Sequence, residues 1–161
     1  MTKTTHIALG LYAALGTHTY FLPAMFGAAL PDIEIAWGYK RTRDGFKPRP
    51  NMPKWLGHRG FTHWFVSYLP LLGASFVLHP ATQAIVHAFL VGVASHLLAD
   101  MMTPGGIPVF SFKRRASLRL VKTRSATEYA LLALLTLGLF LLPKSLYLEQ
   151  FIFLKLFTNL L

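Results

Sequence analysis

Three histidines and two aspartates lie at places in this chain where an apolar sequence should not carry them. In Ser95-His96-Leu97-Leu98-Ala99-Asp100, four-residue spacing inside an apolar helix sets imidazole and carboxylate about 40° apart on one face and about 6 Å apart along the axis. Both can reach one metal ion, or they can hydrogen-bond and tie helices together. Thr103 continues the stripe, and Pro104-Gly105-Gly106 ends the helix. In Gly57-His58-Arg59-Gly60-Phe61-Thr62-His63, the histidines are too far out of phase to share a helical face. His58 is therefore expected on an approach loop and His63 in the first turn of the next helix. Gly60 lets the backbone fold between them. Arg59 brings a planar fork suited to carboxylate or phosphate, but it is equally one more charge of a basic loop. In Leu30-Pro31-Asp32-Ile33-Glu34, proline breaks an apolar stretch and leaves two carboxylates at its end. Glu128 opens another apolar segment, where an acidic residue also suits the helix dipole without any chemistry.

The chain has no cysteine, so a metal site here must use imidazole and carboxylate. Such ligands suit a divalent ion: zinc, manganese or iron. Five or more candidates exceed the three that one catalytic zinc takes, which favours two ions. His87 lies nine residues before His96, on the opposite face, and His79 falls in a distant connection. Both are read as structural, as is His18.

The elements that must position these groups are membrane helices. Hydrophobic residues make up 53% of the 161-residue chain and charged residues 14%, against roughly 25% charged in soluble domains. The length suits one domain, 1–161. Four apolar stretches, at 7–30, 65–78, 84–102 and 129–142, approach the roughly 20 residues a spanning helix needs. A fifth, 146–161, is interrupted by Glu149, Gln150 and Lys155 and reads as an interfacial or packing helix. The predicted fold class is thus all-α, a polytopic bundle of about four spanning helices with a C-terminal interfacial helix.

The net charge of +10 is concentrated: of 16 Lys and Arg residues, seven lie between Lys40 and Arg59 and six between Lys113 and Arg124. The connection 79–83 carries none. Alternating spans put both basic loops on one side, the positive-inside pattern, with those loops cytoplasmic. Nucleic-acid binding is disfavoured accordingly, and membrane lipids are the expected partners. Asp32, Glu34, Asp100 and Glu128 all fall at the segment ends facing the basic loops. Ionisable groups at such depth are costly and mark functional sites by default.

In their order, Thr5-His6, Leu30-Pro31-Asp32-Ile33-Glu34, His58-Arg59-Gly60-Phe61-Thr62-His63 and Ser95-His96-Leu97-Leu98-Ala99-Asp100 followed by Thr103-Pro104-Gly105-Gly106-Ile107 resemble the YdjM-type family of inner-membrane metal-dependent hydrolases. The likeness extends to the Glu128 region. It implies His6, Asp32, His58, His63, His96 and Asp100 as ligands. The histidine followed four residues later by aspartate is also distantly similar to zinc-dependent phospholipase C. Glu34 and Trp64 depart from the family's usual aspartate and serine.

One conflict follows. A straight helix from His6 to Leu30 would rise about 36 Å and put His6 on the face opposite Asp32. Either His6 is no ligand, or Gly16-Thr17-His18 turns the stretch into a re-entrant hairpin. The function expected is hydrolysis of a phosphoester, lipid-linked or amphipathic, at the cytoplasmic face of the inner membrane. Asp100 or Asp32 would bridge metals, Glu34 or Glu128 would accept a proton, and Arg59 would neutralise phosphate. The alternative is a non-enzymatic protein with a structural metal, or a metal or proton conduit.

Overall fold

The first apolar stretch is two helices rather than one. The computed structural model describes residues 1–34, 39–42, 45–48, 59–111 and 114–141. In it, α1 runs Lys3–Gly16 and α2 runs Phe21–Ala29. Between them the chain ends α1 in a Schellman turn: Thr19 N–H donates to the Ala14 carbonyl (2.9 Å) and His18 N–H to the Leu15 carbonyl (3.3 Å). His18 sits at φ 51°, a left-handed conformation that costs a residue with a Cβ roughly 1–2 kcal/mol. The Thr17 hydroxyl adds a bond to the Ala13 carbonyl (2.7 Å). α2 then returns beside α1, and the 3₁₀ turn Leu30–Ile33 carries Asp32 back to the level of His6. The hairpin alternative holds, and the conflict over His6 disappears.

The second apolar stretch opens with a 3₁₀ turn, Phe65–Tyr68, and becomes α-helical only at α3, Leu69–Ser75. His63 is not in its first turn as expected but ends a separate 3₁₀ turn, Phe61–His63, cut off by the extended backbone of Trp64. α4 spans Pro80–Met101, four residues earlier than the apolar run suggests. Pro80 takes the first position, where a missing N–H leaves no bond unmade, and Nδ1 of His79 accepts from Ala81 N–H (3.4 Å). α5 covers Ala126–Leu141. Among the described residues, α4 is the one helix long and apolar enough to cross a membrane; 21–33, 65–75 and 126–141 are shorter apolar helices.

The all-α expectation needs a correction, because one antiparallel hairpin lies in the first basic loop and another leads into the second. β1 (Tyr39–Thr42) pairs with β2 (Gly45–Pro48), and β3 (Ile107–Ser111) with β4 (Arg114–Ala116). Folding back lets a loop satisfy its own backbone donors and acceptors. The chain remains mostly helical. The helix expected at 146–161 lies outside the described residues.

α1, α2 and α4 meet through small residues. Ala14, Ala24, Ala28 and Ala88 are fully buried. A Cβ at Gly27 would overlap the Phe89 carbonyl, and one at Gly92 the Ala24 carbonyl. Two backbones in near contact gain packing and weak polar attraction that need no hydrophobic driving force, as suits helices in lipid. Elsewhere the usual distribution is inverted. Thr5, His6, Asp32, Glu34, Arg59, His63, His96, Asp100, Thr103 and Glu128 are buried, whereas Phe26 (71% exposed), Leu134 (67%) and Phe140 (84%) face outward. A water-soluble domain places these classes the other way round.

Candidate metal centre

His96 and Asp100 occupy successive turns at the C-terminal end of α4 and face the α1–α2 hairpin. The close approach of α2 brings the Ala28 carbonyl to His96 Nδ1 at 2.7 Å. A carbonyl can only accept, so Nδ1 carries the proton and Nε2 presents its lone pair to the interior. His63, at the end of its 3₁₀ turn, is held in the same manner: Nδ1 lies 3.2 Å from Glu34 Oε1, a carboxylate that accepts its proton. Its Nε2 then faces His96 Nε2 at 3.2 Å.

Carboxylates surround this pair. Asp100 Oδ2 is 3.3 Å from His63 Nε2 and 3.9 Å from His96 Nε2. Asp32 Oδ1 is 3.7 Å and 3.9 Å from the same two nitrogens. From α1, His6 stacks on His96 with ring centroids 3.6 Å apart and planes 14° from parallel. His6 Nε2 lies 3.3 Å from Asp100 Oδ1, and its buried Nδ1 has no hydrogen-bond partner among the described residues. Two sets of donor atoms each fall within 4.8 Å of one another: His6, His96 and Asp100, and Asp32, His63 and His96. Burial opposes a charge on His63, yet its hydrogen bonds to Asp100 and Glu34, and their charges, prevail and raise its pKa above the ordinary imidazole value.

Arg59 anchors the other side of the cluster. Its Nη2 donates to Asp100 Oδ1 (3.0 Å), and Nη1 donates to the Thr103 hydroxyl (2.9 Å) and the Gly106 carbonyl (3.1 Å). A side chain at Gly105 would occupy the space of the guanidinium. The Arg59 backbone, at φ 62°, is fixed through its N–H by Glu34 Oε1 (2.8 Å). The Met1 amino nitrogen also lies 2.9 Å from Asp100 Oδ1.

Thus His6, Asp32, His63, His96 and Asp100 are brought together, with Glu34 directly behind His63. Glu128 is not among them; it lies at the start of α5 against the start of α1. His58 lies outside the described residues. His87 sits away from the cluster, 2.9 Å from Ser75 Oγ through Nε2, and His79 caps α4. Sequence reasoning missed the Ala28 carbonyl. The run of Gly27 and Ala28 opposite Gly92 was the available signal for a close backbone approach, but no side-chain pattern announces a main-chain ligand-orienting group.

A family model described as YdjM inner membrane protein matches residues 1–160 of the chain. Over 101 residues the chain is 32% identical to the inner membrane protein YdjM of Escherichia coli (strain K12), and equally to that of Shigella flexneri. The alignment covers 60% of this chain and 51% of each relative. The chain therefore spans about half the length of the curated relatives it matches. No solved structure matches it.

Proposed function

The chain belongs to the YdjM inner membrane protein family, and from that premise we propose that it is a multi-pass inner-membrane hydrolase whose buried histidine–carboxylate cluster holds a divalent metal and cleaves a phosphoester. One observation carries the reading. Two imidazoles whose Nδ1 protons are committed outward, to Ala28 and Glu34, turn their Nε2 atoms toward each other at 3.2 Å amid Asp32 and Asp100. Two imidazole lone pairs facing each other at this separation need a cation between them, either a proton or a metal. The donors fit a metal: all are nitrogen or oxygen, suiting zinc, manganese or iron. His6, His96 and Asp100 would hold one ion, and Asp32 and His63 would complete that site or hold a second.

Bound there, a divalent ion acidifies water and polarises a phosphoryl oxygen. The chain supplies the rest. Glu34 orients His63 and, lying outside both donor sets, is the carboxylate beside the cluster left to take up a proton. Arg59 fixes Asp100 in place, so its cation acts on the ligand rather than on phosphate. The small-residue contact between α2 and α4 sets the Ala28 carbonyl and with it the direction of His96. The membrane-crossing segments, beyond α4, would include the 65–75 segment and α5, with the α1–α2 hairpin re-entrant from the side of the basic loops and the cluster at that cytoplasmic end. A phosphoester on a lipid or other amphipathic carrier is the substrate that such a position meets.

A second reading has an observation of its own. His6, His63, His96 and Asp100 are each no more than 1% exposed, and closed sites are characteristic of structural metals. The deciding experiment incubates detergent-purified protein with phosphodiesters and phospholipids, with and without chelator, beside a His96→Ala/Asp100→Ala variant. Turnover that needs both the metal and the two side chains supports the hydrolase. Loss of thermal stability on chelation with no turnover under any condition supports the metal staple.

A further inference from the structure

Of the four buried carboxylates among the described residues, Asp32, Glu34, Asp100 and Glu128, the last alone contributes nothing to the cluster. We propose that Glu128 is a positioning residue, which clamps the start of α1 and thereby sets His6 against Asp100 and His96. Its Oε1 accepts the Thr2 N–H, and its Oε2 accepts the Arg124 N–H (2.6 Å). At the same end of α1 the Thr5 hydroxyl lies 2.8 Å from the Thr2 hydroxyl. Both Glu128 oxygens are held by backbone donors, an arrangement that fixes two chain segments and leaves poor geometry for receiving a proton from a substrate.

The path to His6 is short. Thr2 is the N-cap of α1, and its own side chain makes no capping bond. The first N–H groups of a helix need acceptors from elsewhere, and a negative charge there is favoured by the helix dipole. Glu128 supplies both from another helix. The Thr2 carbonyl in turn accepts the His6 N–H (3.1 Å), so clamp and imidazole are separated by one helical turn. A second tie between the same helices, from the Tyr12 hydroxyl to the Leu135 carbonyl (2.6 Å), lies farther along α1. It provides a control for mere attachment of α1 to α5.

The clamp itself follows from geometry, whereas its purpose rests on the metal reading above. Glu128→Gln keeps the side chain's size but turns an amide NH₂ toward one of the two backbone donors. Two measurements on the full chain in detergent test the proposal: hydrogen exchange of the amides of residues 2–7, and Co²⁺ affinity with its visible absorption. Glu128→Gln is expected to speed exchange at the start of α1 by roughly tenfold, as loss of one charge-assisted hydrogen bond implies. It should weaken Co²⁺ binding and change its spectrum as His6→Ala does, with no further loss in the double variant. Tyr12→Phe should leave both readouts near wild type. Unchanged exchange in Glu128→Gln, additive losses of affinity in the double variant, or equal effects from Tyr12→Phe would each overturn the clamp. If the wild type takes up no Co²⁺, the metal reading fails, and the exchange measurement still decides the clamp: faster exchange supports it and unchanged exchange refutes it.

Discussion

Arg59 illustrates how a single residue changes meaning once its surroundings are known. In the sequence it is the last of seven basic residues in one loop, and such charges ordinarily record topology. In the fold it is buried, with its guanidinium spread over Asp100, Thr103 and Gly106. Removing one partner of a buried ion pair typically costs 3–5 kcal/mol, because the other charge is left uncompensated. Arg59→Gln should therefore destabilise the protein by about 3 kcal/mol, measured by chemical unfolding in detergent. A loss under about 1 kcal/mol, the range of exposed pairs, would show that Asp100 does not depend on it. His96 and Asp100 were legible from spacing alone because both stand on one regular helix, where geometry follows from the count of residues. His6 was not legible in that way. Its place depends on a turn twelve residues downstream, and without the turn the same residue belongs to the opposite end of the molecule.

At the scale of elements, that turn decides whether a centre exists. The polar Thr17-His18-Thr19 interruption was visible in the sequence, yet its type was hidden because the left-handed position that glycine usually fills is filled by His18. Histidine is one of the residues that tolerate it. His18 is exposed, so His18→Gly should relieve the strained backbone without disturbing a contact and raise stability by about 1 kcal/mol. Thermal unfolding of the variant checks this, and a lower midpoint would mean that the turn is not of the kind described. The hairpins β1–β2 and β3–β4 escaped notice for a related reason. Basic loops between apolar segments read as connections, and their pairing is set by the turn and by neighbouring structure more than by hydrophobic pattern.

For the whole molecule, composition identified lipid as the surrounding solvent, and the buried polar residues with outward-facing leucines and phenylalanines agree with the family's description as inner membrane proteins. Span count is where hydropathy is least informative. Helices of 14 and 9 residues in a hairpin reach about 21 Å and 14 Å, short of a roughly 30 Å hydrocarbon core, so an apolar stretch of sufficient total length need not cross. The orientation proposed above places the uncharged 79–83 connection on the periplasmic side. A reporter enzyme inserted there should be active only if exported, and a cytoplasmic signal would reverse the orientation. Such a reversal would move the cluster to the other face without altering its geometry.

The claim on which the rest depends is that the five converging side chains hold a metal. Elemental analysis of protein purified in detergent without added metal, followed by equilibration with zinc and removal of excess, measures this directly. One or two equivalents per chain are expected in the wild type, falling below about a tenth in His96→Ala/Asp100→Ala, because the variant removes a ligand from each of the two donor sets. Full metal content in that variant, or none in the wild type after equilibration, would contradict the account.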